Sequence, residues 1–164
     1  MGEAGEAEVG VRWPSGPWAS VDVGTVRVGV AATDPERRIA FPVETVPRDR
    51  NTMERIGAIV EERGVVAVFV GLPLTLAGRE GSSALSARSF AKELVQHLAV
   101  PVRLIDERLS TSSARAALRE AGWSARRQKA VIDQAAAVVI LELVLDGRNN
   151  GILDNLTEQV AQGE

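Results

Sequence analysis

The sequence predicts an α/β domain with a mixed five-stranded sheet, in which three antiparallel and two parallel strands are flanked by helices. Three observations lead to this fold class. Apolar runs at Trp18–Val23 and Arg27–Thr33 are separated by Gly24 and Thr25, as in a β-hairpin. The continuous apolar run Val65–Gly71 is typical of a central strand buried on both faces. Between and after these runs, apolar residues recur with helical spacing.

A third strand at Ile39–Val46 completes an antiparallel meander with the hairpin. Pro42 favours an edge position for this strand, because proline cannot donate a hydrogen bond to a neighbouring strand. The first helix is expected to have Thr52 as its N-cap and Gly64 just after its last turn.

The second half of the chain predicts three more helices and one more strand, giving the order βββ-α-β-α-β-α-α. Alanine and leucine form the inward stripe of the helix that follows the central strand. The expected elements are a helix capped by Ser82 or Ser83, a strand at Val102–Ile105, a helix from Ser110 or Thr111 to Gly122, and a helix from Ser124 or Arg126 to Leu145.

Composition limits the class of protein. The 164 residues suit one domain, and the 45% hydrophobic content supplies a core. Cysteine is absent, which excludes disulfides and thiolate metal sites and is compatible with a reducing compartment. The sequence shows neither an apolar run that would span a bilayer nor the pattern of a secretory signal. We therefore expect a cytoplasmic protein.

The two ends of the chain differ in composition from the body. Residues 1–17 are rich in Gly, Glu, Ala and Pro without periodicity, which predicts a disordered N-terminal tail. Residues 18–146 form the predicted domain. Residues 147–164 are expected to be a polar C-terminal tail, although Ile152, Leu153 and Leu156 can dock on the domain.

The net charge of −3 is unevenly distributed. Both ends are acidic, so the body is positive. Between Arg103 and Lys129, seven basic residues face three acidic ones. A basic patch of this kind is expected where a protein binds phosphates, although solvated helix faces would give the same count.

Carboxylates are predicted to meet at one edge of the sheet. Asp22 lies near the end of the first strand, and Asp106 and Glu107 end the last predicted strand. Because side chains alternate between faces, only one of these two neighbours can face a shared site. In the last helix Asp133 shares a face with apolar Ala137, where a carboxylate needs a cation or hydrogen-bond donors. A turn-capping role for Asp22 and an ion pair for Asp133 are the alternatives.

Three converging carboxylates fit Mg²⁺ or Mn²⁺, which prefer oxygen ligands. Such a site suits hydrolysis of a phosphodiester by a metal-activated water. The loop Gly71–Gly81 leads into a helix N-terminus, whose backbone amides can hold a phosphate. Arginines close to the acids in sequence can bind phosphates or form structural ion pairs. The candidate nucleic-acid-binding residues are Arg27, Arg108, Arg126, Arg127 and Lys129.

Four stretches together resemble one known family. They are Asp22-Val23-Gly24 with Arg27–Ala31, Val70–Pro73, Asp106–Thr111 and Val131–Ala137. In this order they resemble the YqgF/RuvX family, which has a ribonuclease H-like fold and is described as Holliday junction resolvases and as pre-16S rRNA nucleases. The resemblance covers residues 20–145 and leaves both tails out.

The resemblance implies an activity and a site. Asp22, Glu107 and Asp133 match the acidic metal-site positions of the family, so they are the candidate catalytic and metal-binding residues. A divalent-metal endonuclease acting on branched DNA or on pre-16S rRNA is the function implied. Symmetric cutting of a four-way junction would need two sites and hence a homodimer.

Two other functions remain open at this point. One is a non-catalytic nucleic-acid or ribosome-associated module of the same fold that keeps the acids. The other is a phosphotransferase of the actin and sugar-kinase type, whose first strand also resembles Asp22–Thr25. A single domain of this length argues against the phosphotransferase. No base-reading element is visible in the sequence, so the choice between DNA and RNA also stays open.

Overall fold

A computed structural model describes residues 13–75, 77–109 and 125–161, with side chains at all of them except 109 and 125–134. The helix expected between Ser110 and Gly122 lies outside this part. The strands are β1 (Trp18–Val23), β2 (Arg27–Thr33), β3 (Ala40–Pro47), β4 (Ala67–Leu72), β5 (Val102–Asp106) and β6 (Thr157–Gln159). The helices are α1 (Thr52–Arg63), α2 (Ser82–His97), α3 (Ala125–Asn149) and α4 (Leu153–Leu156), with a 3-10 turn at Glu107–Leu109.

The strands form one mixed sheet in the order β3-β2-β1-β4-β5-β6. Strands β1, β2 and β3 pair antiparallel, whereas β1 with β4 and β4 with β5 pair parallel. The predicted α/β class with its antiparallel meander and parallel extension is confirmed. The described part of the chain contains six strands rather than the expected five, because β6 adds antiparallel to β5.

The predicted edge position of β3 is confirmed. Val30 pairs with Glu44 and Ala31 pairs with Pro42, so Val43 is an extra residue in the ladder. The register shift therefore coincides with the proline, which cannot donate a hydrogen bond to β2.

The segment expected to be a polar C-terminal tail contains α4 and β6. Leu153 and Val160 are buried, while Ile152 is 44% exposed. The strand Thr157–Gln159 lacks apolar alternation, and its position depends on partners distant in sequence. Arg103 Nε donates a hydrogen bond to Thr157 Oγ1 at 2.7 Å, which fixes the strand beside β5.

The sheet separates two apolar layers. One contains α1 and α2 and the strand residues Val21, Val70 and Leu104. The other contains α3 and the strand residues Trp18 and Phe69. Because alternate strand residues enter opposite layers, the face of any strand side chain follows from its position. None of the helices in the described ranges has the length and hydropathy needed to cross a membrane.

The ends of α1 confirm one sequence prediction and correct another. Gly64 follows the helix with a left-handed φ of 66°, as expected of a C-terminal glycine. Thr52, however, is the first helical residue rather than the N-cap. Its hydroxyl donates to the Pro47 carbonyl at 2.8 Å and accepts from the Asp49 N–H at 2.7 Å. The hydroxyl thus fixes the preceding loop instead of capping the helix.

Candidate active site at the ends of the parallel strands

Asp22 lies on the α3 side of the sheet. Two residues earlier, the buried Ser20 donates its hydroxyl hydrogen to the Ala137 carbonyl of α3 at 2.5 Å. Residues two apart in a strand share a face, so Asp22 lies on the same side, near the carboxyl end of β1. The bond from Ser20 holds α3 against β1 at a distance that these small residues permit.

Glu107 also lies on the α3 side. It begins the 3-10 turn that follows β5. A Cβ atom placed on Gly71 of β4 would lie 2.5 Å from Glu107 Oε2 and 2.6 Å from Ile140 Cδ1. Because real Cβ contacts are longer, only glycine at position 71 leaves room for this carboxylate beneath α3.

Glycines flank Asp22 on both neighbouring strands. Asp22 pairs with Gly29 of β2. On the other side, Val21 pairs with Val70, so Gly71 is the next position of β4 along from Asp22. The sheet therefore lacks side chains on either side of the Asp22 carboxylate. We call Asp22, Gly29, Gly71 and Glu107 the carboxylate edge.

Asp106 lies on the opposite face, in agreement with strand alternation. Its carboxylate accepts hydrogen bonds from Arg108 Nε at 3.1 Å, from Arg108 Nη2 at 2.7 Å and from the Arg108 N–H at 2.9 Å. The side-chain bond from Arg108 lowers the pKa of Asp106. Bonding to Asp106 likewise raises the pKa of Arg108. The predicted phosphate ligand Arg108 is thus engaged with Asp106, beside Gly78 of the following loop.

Arg27 is half-buried at the start of β2. Its neighbour Val28 is fully buried in the α1/α2 layer, so alternation assigns Arg27 to the α3 side, as for Asp22. Arg27 therefore shares a face of the sheet with the carboxylate edge.

The third predicted acid lies in the N-terminal half of α3. Position 133 precedes Ala137 by one turn and Ile140 by two turns, and both of these side chains are buried against the sheet. The side chain of Asp133 lies outside the described part. The same holds for the candidate nucleic-acid-binding residues Arg126, Arg127 and Lys129.

Metal ligation therefore depends on a residue beyond the described side chains. Among those the structure does describe, no three His, Asp or Glu residues gather closely enough to hold a metal ion. Asp22 and Glu107 supply two acids on one face, and a third would have to come from the chain outside this set.

Sequence reasoning found the acids but gave no role to the glycines between them. Val70–Pro73 stood out as a motif, but the space that Gly71 leaves for Glu107 was missed. The available signal was a glycine ending a buried apolar run, a position where glycine often marks the close approach of another group.

Comparisons with known proteins agree with the motifs. A family model described as RuvX, Holliday junction resolvase, matches residues 16–147. The chain is 55% identical over 131 residues to the "Putative pre-16S rRNA nuclease" of Mycolicibacterium paratuberculosis, covering 78% of each protein. It is 49% identical over 158 residues to the protein of the same name from Rhodococcus opacus, covering 92% of this chain and 89% of the relative.

One solved structure supports the fold. T. thermophilus RuvC in complex with a Holliday junction substrate matches with a TM-score of 0.51 and 16% identity, over 82% of this chain and 96% of that one. At this identity the likeness shows the fold alone. It agrees with the ribonuclease H-like arrangement of the sheet.

Proposed function

Since the chain belongs to the RuvX family of Holliday junction resolvases, we propose that it is a divalent-metal-dependent endonuclease that hydrolyses phosphodiester bonds in structured nucleic acid. The observation that carries the proposal is the carboxylate edge. Asp22 and Glu107 share one face of the sheet, and Gly71, on the strand between theirs, leaves room for the Glu107 carboxylate.

The donor chemistry of this edge fits Mg²⁺ or Mn²⁺. Carboxylate oxygens are the ligands that these hard cations prefer. Gly71 gives the Glu107 carboxylate its place on the same face as Asp22. Asp22, Glu107 and Asp133 are the residues that would hold the ion. When bound, it supplies a water of lowered pKa and neutralises charge on the phosphate.

The surrounding residues hold the acids and exclude water. Ile140 lies over Gly71 beside the Glu107 carboxylate. Ser20 anchors α3 at Ala137, and this contact fixes the helix that carries position 133. Arg27 shares the face and is suited to contact a phosphate next to the scissile one.

Two substrates follow from the family and its relatives. The family is described as acting on Holliday junctions, and the relatives are named for pre-16S rRNA. We propose that the same edge serves whichever distorted backbone reaches it. If a four-way junction is cut symmetrically, two copies of the chain must act together.

The test is a cleavage assay with both substrates. Purified protein is incubated with a four-way DNA junction and with a pre-16S rRNA fragment, in EDTA, Mg²⁺ and Mn²⁺. Cleavage is expected only with metal. Asp22→Asn, Glu107→Gln and Asp133→Asn should each lower the rate roughly 10³-fold or more, because metal catalysis contributes several kcal/mol and each tenfold corresponds to about 1.4 kcal/mol.

Asp106→Asn is the matched control, because this acid lies beside Glu107 in sequence but on the other face. It should affect the rate far less. If Asp106→Asn abolishes cleavage and Glu107→Gln does not, the assignment of faces is wrong. If the wild type binds both substrates and cleaves neither, the chain is the non-catalytic module of the same fold.

A second measurement tests the basic residues of α3. Replacing Arg126, Arg127 and Lys129 together by Ala should weaken binding and flatten its dependence on salt concentration. Deleting residues 1–12 should not weaken binding, because that segment is acidic and the deletion leaves Trp13 packed against Trp18 and Phe69. Unchanged affinity and salt dependence in the triple variant would remove these residues from the proposed interface.

A further inference from the structure

Arg48 follows β3 directly and lies at the same end of the sheet as the carboxylate edge. Because β2 and β3 pair antiparallel, the end of β3 lies beside the start of β2, and Pro47 pairs with Arg27. The Arg48 N–H donates to the Val26 carbonyl at 2.9 Å, which extends this pairing into the β1–β2 turn. Arg48 is therefore a neighbour of the turn that follows Asp22.

The Arg48 side chain reaches across this turn to the end of β1. Its Nη1 atom donates to the Gly24 carbonyl at 2.8 Å. Gly24 is the second residue after Asp22, roughly 7 Å away along an extended chain. Successive phosphates of one DNA strand advance by about 3.4 Å along the helix axis. The guanidinium is thus placed for a phosphate within a few nucleotides of one at the carboxylate edge.

Two uncharged partners hold the Arg48 guanidinium. Besides its bond to the Gly24 carbonyl, it lies 5.4 Å from the centre of the Phe90 ring of α2. A carbonyl and an aromatic ring orient the guanidinium and leave its full positive charge in place. The side chain is half-buried between them. A side chain that is already ordered loses less conformational freedom when it binds a ligand.

Ion pairing distinguishes Arg48 from other arginines of the domain. Arg55 Nη2 lies 2.6 Å from a Glu44 oxygen, and Arg108 Nη2 lies 2.7 Å from an Asp106 oxygen. Arg48 forms no salt bridge with any carboxylate of the described ranges, and its Nε and Nη2 atoms have no hydrogen-bond partner there. These two nitrogens form one planar fork of N–H donors, which matches two oxygens of a phosphate.

We propose that Arg48 binds a backbone phosphate of the nucleic acid held at the carboxylate edge, through Nε and Nη2. Strand alternation assigns Arg27 to the α3 side of the sheet, whereas the contact with Phe90 places Arg48 on the α2 side. The bound strand therefore crosses the end of the sheet, over the β1–β2 turn. This inference rests on the proposed function, because it takes nucleic acid as the ligand.

The test measures how binding depends on salt concentration, in EDTA, for the four-way DNA junction and for the pre-16S rRNA fragment. Each phosphate contact with B-DNA adds about 0.9 to the slope of log K against log salt. Arg48→Ala should therefore make the slope for the junction shallower by about that amount. Its affinity at low salt should fall roughly 3- to 10-fold, as expected for the loss of charge-assisted hydrogen bonds.

Two further variants separate charge from a purely structural role. Arg48→Lys keeps the positive charge and should keep the wild-type slope. Arg48→Gln removes the charge and keeps a hydrogen-bond donor, so it should reproduce the shallower slope. If Arg48→Ala does not fold, which thermal unfolding detects, the comparison of Lys with Gln decides.

Arg63→Ala is the matched control, because Arg63 also lies over a phenylalanine, 5.8 Å from the Phe41 ring. Phe41 precedes Pro47 by six residues along β3, which is roughly 20 Å from the end that carries Arg48. Arg63→Ala should keep the wild-type slope. An equally large change of slope in this control would overturn the proposal, since any lost arginine would then have the same effect.

An unchanged slope in the uncharged Arg48 variants also overturns the proposal, even if affinity falls, because Arg48 then only holds the turn. If that result accompanies metal-dependent cleavage by wild type, this inference alone is wrong. If the slope becomes shallower as expected but wild type cleaves neither substrate with Mn²⁺, the phosphate contact stands and the nuclease function fails. If wild type binds neither substrate, both are overturned.

Discussion

The two ends of β1 are built on opposite principles. At the carboxyl end, Asp22 lies between Gly29 and Gly71, and the space above Gly71 holds the Glu107 carboxylate and the end of the Ile140 side chain. At the other end, Trp18 is fully buried and contacts Trp13 and Phe69, with all three ring centroids 5.4 Å apart. We call these three aromatic residues, with the arginines around them, the tryptophan end.

Arginines at the tryptophan end lie over the rings. The guanidinium of Arg37 lies 5.3 Å and that of Arg148 5.8 Å from the Trp18 ring, and Arg103 lies 5.2 Å from the Trp13 ring. Burial lowers the pKa of Arg103, because removing the guanidinium from water disfavours its charged form. Cation–π contacts and the hydrogen bonds to Thr157 offset that cost.

Comparing the two ends of β1 shows which region is stabilised by close packing and which region is not. Filled volume and cation–π contacts stabilise the tryptophan end. At the carboxylate edge two acids share one face, and glycines stand where neighbouring strands could carry packed side chains. Sites that bind or react commonly break packing rules in this way, and the rest of the domain compensates.

The largest expected effect on stability comes from removing the Trp18 side chain at the tryptophan end. Trp18→Ala should lower the free energy of unfolding by about 3–5 kcal/mol, because it removes a fully buried aromatic side chain. Activity of the folded fraction should persist, since Asp22 lies roughly 13 Å along the strand. Chemical denaturation and a cleavage assay measure the two effects. Val26→Ala, at a side chain 69% exposed beside the carboxylate edge, should change stability by less than about 0.5 kcal/mol.

The opposite behaviour is expected at the carboxylate edge. Without metal, Asp133→Asn should leave stability unchanged or raise it, because it relieves repulsion between acids. Mn²⁺ at a hundredfold excess over its dissociation constant should stabilise wild type by about 2.7 kcal/mol and the variant by much less. Thermal unfolding with EDTA and with Mn²⁺ measures both.

The contrary outcome would identify an ion pair instead of a metal site. If Asp133 pairs with an arginine, removing its charge should cost roughly 3–5 kcal/mol without metal. That loss, together with no Mn²⁺ shift in wild type, would contradict the proposed role of the third acid.

Alanine substitutions at two glycines compare a closely packed position with an open one. Gly71→Ala should cost about 1–3 kcal/mol and reduce cleavage, because the new Cβ meets Glu107 and Ile140. Gly57→Ala, in α1 with no atom within 4 Å of the new Cβ, should stabilise by about 0.5–1 kcal/mol. Denaturation curves of both variants test this. Equal effects at the two positions would mean that Glu107 does not need the space above Gly71.

The smallest expected effect depends on pH. Asp34, in the turn after β2, accepts from the Ile39 N–H at 2.9 Å and the Arg38 N–H at 2.6 Å. These bonds lower its pKa to about 2, with the Ile39 N–H the largest cause. A lowered pKa stabilises the fold above about pH 4, and the contribution disappears as the pH falls towards 2.

The Asp34 prediction is measured as a difference between proteins. Unfolding free energies of wild type and Asp34→Asn should differ by a constant amount above pH 4 and converge at lower pH. NMR titration of the Asp34 carboxyl gives its pKa directly. A midpoint near 4 would show that the turn bonds do not favour the ionised form.

Local rules predicted much of the fold and part of the site. The period of two along a strand assigns Asp22 to one face and separates Asp106 from Glu107, and the structure agrees on both. Short apolar runs with turn residues between them likewise indicated the meander and the buried central strand. These features depend on a few neighbouring residues, which is why one sequence suffices to find them.

Features that depend on distant partners were missed. Thr157–Gln159 becomes a strand because β5 offers a free edge and Arg103 bonds to Thr157. Thr52 resembles an N-cap, but its hydroxyl finds better partners in the preceding loop. Nothing within a window of ten residues indicates any of these contacts.

The hydrogen bond from Trp13 Nε1 to Asp154 Oδ1, 3.0 Å long, joins residues 141 positions apart. During synthesis the β1–β2 hairpin can form long before residue 154 leaves the ribosome. Closing so long a loop comes late, since its entropy must be lost before the contact forms. Until then Trp13 lacks this partner, so an apolar indole near the N-terminus stays exposed while most of the chain is being made.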